Sequence, residues 1–210
     1  MKITAEFVRS ATGESDVLTG RVQAVALVGR SNVGKSSLIN ALVRRRIART
    51  SASPGKTRLV NIYQVARGAS PPCYLVDLPG YGYARRGDEA AQGFDEITRA
   101  LFRQALAALL LVDVRHPGLE SDVKAWRWLN EAVDAVAIVA TKIDKLARGQ
   151  RIRALRELES VFHAPVLPVS AVTGEGLDEL WKLIDRLTHR HNRTPRSPSR
   201  REAPPAHPNG

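Results

Sequence analysis

With 210 residues, 43% of them hydrophobic and 25% charged, the chain has the apolar material for one well-cored domain with appendages. Its 32 lysines and arginines exceed its 21 acidic residues by +11, which suggests a polyanionic partner, RNA or DNA first and an anionic membrane surface second. Cys73 is the single cysteine, which excludes an intrachain disulfide; no signal-peptide core and no bilayer-length apolar run is present, so a reducing cytoplasm is the expected location.

Residues 3–8 alternate like a short strand and 11–19 read as loop, so residues 1–20 are expected to be an extension packed on a main domain of residues 21–190. An apolar strand at 25–28 and a helix at 37–43, with Leu38, Ile39 and Leu42 on one side, flank Gly29-Arg30-Ser31-Asn32-Val33-Gly34-Lys35-Ser36. This G-x-x-x-x-G-K-S pattern in a strand–loop–helix setting is that of a phosphate loop. Gly29 and Gly34 let the backbone curl so that its N–H groups point inward, and the helix N-terminus adds its dipole. Lys35 would reach the terminal phosphates and the Ser36 hydroxyl would ligate Mg²⁺.

Residues 44–58 hold Arg44, Arg45, Arg46, Arg49, Lys56 and Arg58 and no acid, where P-loop GTPases carry their first switch. In Pro54-Gly55-Lys56-Thr57, Thr57 offers a hydroxyl to close over Mg²⁺ and the γ-phosphate, with Thr50, Ser51 and Ser53 as competitors that spacing does not separate. Strands at 59–65 and 72–77 read as antiparallel neighbours around a turn at 67–70. Asp77-Leu78-Pro79-Gly80 then gives D-x-x-G at a strand end, where Asp77 holds Mg²⁺ through water and the Gly80 N–H bonds the γ-phosphate.

A helix at 94–107, a strand at 108–113, a helix at 119–131 and a strand at 135–140 continue the chain. Such alternation implies an α/β, three-layer P-loop NTPase fold, its mostly parallel six-stranded sheet covered by helices on both faces and its ligands at the C-terminal strand ends. Thr141-Lys142-Ile143-Asp144 follows the second of these strands. Asp144 can accept hydrogen bonds from the N1–H and exocyclic amine of guanine, adenine would leave it unpaired, and the Lys142 stem can lie over the purine face; this disfavours an ATP-dependent enzyme. A helix at 147–161 and a strand at 164–169 lead from Val169 into Ser170-Ala171, whose backbone N–H groups could contact guanine O6. The helix at 176–190 carries a stripe in which Trp181 belongs to the core. Residues 191–210 turn to Pro, Arg, Ser and His and are expected to be a disordered basic tail; the stretch from Arg190 carries about +4, leaving about +7 on the folded part.

Five segments in order (29–36, 55–57, 77–80, 141–144 and 170–171) look like the five guanine-nucleotide motifs of a translation-factor-class GTPase. Residues 77–84, with Tyr81 and Tyr83 after the D-x-x-G, the 29–32 opening and Val112-Asp113-Val114-Arg115-His116-Pro117 narrow the match. Together they resemble the EngB (YihA) family of bacterial GTPases, within the TrmE-Era-EngA-YihA class, over roughly residues 5–190. The resemblance implies a monomeric, Mg²⁺-dependent GTPase that cycles between GTP and GDP and assists assembly of the large (50S) ribosomal subunit, with a link to cell division and septation. It implies Lys35, Thr57 and Gly80 as the catalytic group and Ser36 and Thr57 as metal ligands. The nucleotide-contacting segments are then 29–36, Gly55 to Leu59, 77–80, 141–144 and 169–171.

Two features depart from the family: Arg58 replaces a usual Gln, and the tail is long. Tyr81 stands where Ras-like enzymes orient the attacking water with a glutamine, which makes slow unaided hydrolysis the expectation. Asn32 matches a position that in related GTPases ligates a monovalent cation, so K⁺ stimulation is expected, against the alternative of a turn-forming residue. Ribosomal RNA would meet the basic first switch, the second switch at 81–86 and the tail, with Tyr81 and Tyr83 either stacking on bases or packing internally. The rival function is a nucleotide-gated RNA-binding scaffold, or a tRNA-modification-type GTPase, in which hydrolysis is incidental.

Overall fold

Alternation along the central strands sets the architecture. In β2 (Ala24–Gly29), Ala24, Ala26 and Val28 pack into one core cluster and Val25 and Leu27 into another, so both faces of the sheet require a cover. The computed structural model describes residues 2–11, 18, 22–49, 59–68, 70–81, 98, 101–102 and 107–191. Its strands are β1 (Ile3–Ala11), β2, β3 (Val60–Arg67), β4 (Cys73–Asp77), β5 (Ala107–Asp113), β6 (Val136–Thr141) and β7 (Val166–Pro168). They form one sheet in the order β1-β3-β4-β2-β5-β6-β7. β4, β2, β5, β6 and β7 run parallel, while β1 and β3 add an antiparallel edge.

Four helices are described: α1 (Lys35–Val43), α2 (Glu120–Ala132), α3 (Arg148–Phe162) and α4 (Leu177–His191). Leu38, Ile39 and Leu42 of α1 and Leu180, Trp181, Ile184 and Leu187 of α4 cover the Val25 and Leu27 face. Leu129 of α2 and Leu158 and Phe162 of α3 cover the other. Trp181 is in the core as expected, its indole N–H directed at the Leu42 carbonyl (3.4 Å).

The sheet has seven strands where the sequence predicted six, because residues 3–11 pair with β3 along its whole length instead of packing as an extension. An edge strand buries few side chains, here Ala5 and Ala11, while Phe7 stays half exposed with its ring edge-to-face on Tyr63. Its apolar pattern is correspondingly faint. α1 starts at Lys35, two residues early, directly after Gly34 in a left-handed conformation (φ 113°). β7 is shorter than predicted, ending at Pro168, which has no N–H to extend a ladder. Of the predicted helix at 94–107, Thr98, Leu101 and Phe102 are helical and buried, and Ala107 already opens β5; the rest lies outside the described residues, as does the tail from 192.

Candidate nucleotide site

The motifs found in the sequence gather at the C-terminal ends of β2, β4 and β6 and just beyond β7. β2 ends in Gly29, where a Cβ would lie 2.8 Å from both the Leu111 carbonyl oxygen and Val33 Cγ1, so only glycine fits. The chain curls through Asn32 (φ 64°) and Gly34 into α1. Inside the curl, Lys35 Nζ donates to the carbonyls of Gly29 (3.0 Å) and Arg30 (3.2 Å). Burial lowers the Lys35 pKa, and the Asp77 charge opposes that shift. Ser36 donates its hydroxyl to Asp77 Oδ2 at 2.7 Å. Asp77 is 2% exposed; burial raises its pKa against Lys35 and the Ser36 hydrogen bond. Among the described residues no ammonium bonds this carboxylate directly, and with the hydroxyl touching it the two make a hard-oxygen pair suited to Mg²⁺.

The chain leaving β4 lies against this loop. Ser31 N–H donates to the Tyr81 carbonyl (3.3 Å) and Ser31 Oγ to that of Gly80 (3.5 Å). A Cβ on Gly80 would stand 2.5 Å from Ser31 N, which is why the D-x-x-G glycine has no substitute here. Leu78 is fully buried, so its side chain serves the core and only its backbone faces the site. Tyr81 donates its hydroxyl to Asp122 Oδ1 at the start of α2 (2.8 Å) and packs against the core. Of the two readings of Tyr81, the internal one describes it; Tyr83 lies outside the described residues.

At the other end, Thr141 is buried and its hydroxyl donates to the carbonyls of Val33 (2.7 Å) and Val112 (3.1 Å), tying β6 to the phosphate loop. Thr141 thus braces the site through backbone. Lys142 is left-handed (φ 62°), and its Nζ donates to the Asn32 carbonyl (2.6 Å) and Asp113 Oδ2 (2.9 Å). Arg115 grips the same carboxylate through Nε (2.9 Å) and Nη2 (2.7 Å). Burial pushes the Asp113 pKa up, yet the hydrogen bonds from Arg115 and Lys142 hold it well below the ordinary carboxylate range. Ile143 and Val169 are core residues. Asp144 accepts the hydroxyl of fully buried Ser170 (2.7 Å), with Lys145 at 3.4 Å, and Ala171 follows Ser170 at the rim. The Ser170 hydrogen bond lowers the Asp144 pKa; burial opposes it.

Gly55, Lys56, Thr57 and Arg58 lie outside the described residues; Leu59 is exposed just before β3. Sequence reasoning assigned no role to Asp113, Arg115 or Asp122. The available signal for Asp113 was its place at the C-terminal end of a buried strand, where ligand sites of such sheets lie.

A phosphate loop after the central strand and a carboxylate-bearing base loop after β6, on a mostly parallel sheet covered on both faces, define the G domain of a P-loop GTPase. A family model described as 50S ribosome-binding GTPase matches residues 24–142. The chain is 40% identical over 195 residues to the probable GTP-binding protein EngB of Pelotomaculum thermopropionicum, covering 89% of this chain and 96% of that one. The chain belongs to the EngB family of GTP-binding proteins. Among solved structures, Era in complex with MgGDPNP and nucleotides of 16S ribosomal RNA is similar at a TM-score of 0.71 and 25% identity over 80% of this chain, which spans 57% of that one. A probable GTP-binding protein engB shares the fold at a TM-score of 0.61 and 24% identity, over 80% of this chain and 99% of that one. Among the described residues no helix is long and apolar enough to cross a membrane.

Proposed function

We propose that this GTPase is a slowly hydrolysing molecular switch acting in assembly of the large ribosomal subunit, as a cytoplasmic monomer, with the link to division and septation that its family resemblance implies. The observation that carries the nucleotide half is the pairing of two contacts: Ser36 on Asp77 beside Lys35, and Ser170 on Asp144 beyond Lys142. Lys35 would reach the terminal phosphates, Ser36 and Thr57 would hold Mg²⁺ with Asp77 bonded to Ser36, and the Gly80 N–H would meet the γ-phosphate. When bound, Mg²⁺ supplies neutralisation of charge on the phosphate oxygens. Asp144 reads guanine and the Lys142 stem covers its face. The Tyr81 hydroxyl is engaged by Asp122, so it does not orient water as a glutamine would, and hydrolysis unaided by a partner is slow. The exposed Asn32 side chain, without a hydrogen-bond partner among the described residues, supports K⁺ as a helper.

The ribosomal half is supported by the family description and by the basic excess, about +7 of which lies before the tail. The same excess favours the second reading, an RNA-binding scaffold with incidental hydrolysis. Co-sedimentation with ribosomal subunits and assembly intermediates tests the first. Binding to large-subunit particles should be stronger with a non-hydrolysable GTP analogue than with GDP; equal binding in both states, or none, rejects the switch. Removing residues 192–210 while measuring RNA affinity and GTPase rate separately tests the scaffold, which requires RNA affinity to fall while the GTPase rate stays unchanged.

A further inference from the structure

Arg44, Arg45 and Arg46 follow α1 consecutively, and all three are exposed. Such a run ordinarily spreads in solvent, since like charges repel. Here the backbone beneath it is tied down. Arg44 is left-handed (φ 55°), its N–H donating to the Ala41 carbonyl (3.3 Å), and the Arg45 N–H donates to that of Asn40 (3.1 Å). The Asn40 side chain then spans the turn: Oδ1 accepts from the N–H of Ile47 (2.9 Å) and of Ala48 (2.8 Å), and Nδ2 donates to the Ala48 carbonyl (2.8 Å). Ala48 is buried against the α1 side of the core. The shape of residues 44–48 is therefore set by contacts to α1.

Among the described residues none of the three guanidinium groups has a carboxylate partner. Arg44 lines a cavity of about 760 Å³ together with Lys182 of α4 and Thr173 of the loop after β7; Asp178 is the acidic residue of its wall. Arg67, at the same cavity, is already paired with Asp185 and stacked 4.2 Å from the Trp181 ring centre. Exposed cations clustered on a fixed backbone, with no carboxylate partner among the described residues, suit a polyanion, and the guanidinium fork matches phosphate oxygens in pairs.

We propose that the Asn40-stapled arginine turn, with Lys182 across the cavity, is a preformed docking surface for the phosphate backbone of RNA, present in every nucleotide state. The choice of RNA rests on the ribosomal reading above; the preformed surface does not.

Full-length protein is titrated with protein-free large-subunit ribosomal RNA over a series of KCl concentrations, with GDP and with a non-hydrolysable GTP analogue. Arg44→Ala/Arg45→Ala/Arg46→Ala should lower affinity by on the order of a hundredfold at about 0.1 M salt and reduce the log–log salt slope by about 2–3. The factor should be the same in both nucleotide states. Lys182→Ala should weaken binding several-fold and Asp178→Asn strengthen it. Asn40→Ala, which keeps every charge, should lose affinity with the slope retained. Removing equal charge from α3, as Arg148→Ala/Arg153→Ala/Arg156→Ala, should change affinity less than about twofold. An equal loss in that α3 variant, a loss confined to the GTP-analogue state, or binding of an acidic protein but not RNA overturns the proposal. Wild-type protein that binds RNA through the turn yet sediments with no ribosomal particle rejects the ribosomal reading alone.

Discussion

Ser170 donates its hydroxyl to Asp144 Oδ1 at 2.7 Å while accepting the N–H groups of Val172 (3.2 Å) and Thr173 (3.1 Å), so the carboxylate and the loop after β7 hold each other in place. The hydrogen bond keeps Asp144 ionised below the ordinary carboxylate range against the opposing effect of burial. Guanine recognition needs the charged form, so GTP affinity should persist as pH falls and be lost only below that range. In Ser170→Ala the acid-side loss should begin at higher pH, with GTP affinity at neutral pH down about tenfold. Asp144→Asn should cost about a hundredfold or more for GTP and shift preference toward xanthosine triphosphate. Titrations with both nucleotides across acid and neutral pH check this; unchanged base preference in Asp144→Asn would remove Asp144 from base recognition.

Asp113 should act as a positioning residue. It holds Lys142 Nζ at 2.9 Å while Arg115 grips it bidentately. Asp113→Asn should raise the dissociation constants of GTP and GDP alike, about three- to tenfold, and leave kcat nearly unchanged, as loss of uniform binding requires. The depressed Asp113 pKa also contributes stability that is present above the unfolded carboxylate value and lost as pH falls through the folded one. The variant should therefore show a shallower acid-side fall in melting temperature. A fall in kcat with unchanged affinity would contradict the assignment.

K⁺ activation is tested at Asn32. Its left-handed φ of 64° means that alanine would add backbone strain, whereas glycine keeps the conformation and removes only the amide. Turnover by the unsubstituted protein should be faster in KCl than in NaCl at equal ionic strength, and Asn32→Gly should abolish the difference. Equal rates in the two salts reject a cation ligand and leave Asn32 as a turn residue.

What the sequence disclosed follows from where its signals were local. The phosphate loop was legible because Gly29, Gly34, Lys35 and Ser36 meet chemical demands within eight residues, and the central strands because both their faces are buried. β1 was weak because it is an edge strand with two buried side chains. Asp113 and Asp122 were silent because a carboxylate at a strand end or helix start reads as solvated until its partner is placed; Lys142 lies 29 residues away and Tyr81 lies 41 away. Asn40 hid likewise, its polar side chain indistinguishable from a solvated helix position until it met residues 47 and 48.

Two glycines should respond oppositely to alanine. At Gly80 the new methyl would meet the Ser31 backbone at 2.5 and 2.7 Å, forcing the D-x-x-G segment away from the phosphate loop. Gly80→Ala should reduce hydrolysis at least about tenfold and stability by roughly 1–3 kcal/mol, with GTP affinity falling more than GDP affinity. Gly149, in the first turn of α3, has nothing within 4 Å of an added Cβ. Gly149→Ala should stabilise by roughly 0.5–1 kcal/mol by reducing unfolded-chain entropy, with hydrolysis unaffected. Thermal melts and single-turnover rates separate the two, and a tolerated Gly80→Ala would contradict the close backbone approach.

Tyr81 and Asp122 should form a structural latch and take no part in the chemistry. Asp122 is 2% exposed, and burial raises its pKa while the Tyr81 hydrogen bond lowers it. A buried acid with a raised pKa binds its proton more readily folded than unfolded, so it costs stability as pH rises through the interval between the two values. Tyr81→Phe would strip the donor and leave the carboxylate less compensated. The expected deficit at neutral pH is about 2 kcal/mol, or a melting temperature lower by roughly 4–8 °C for a domain of this size. The deficit should shrink as pH falls and Asp122 takes up its proton, because a neutral carboxyl loses less with the missing hydroxyl. Intrinsic hydrolysis per folded molecule should stay within about twofold. A large loss of kcat at unchanged melting temperature would instead make the phenol a participant in the reaction, and would require the Tyr81–Asp122 contact to open during turnover.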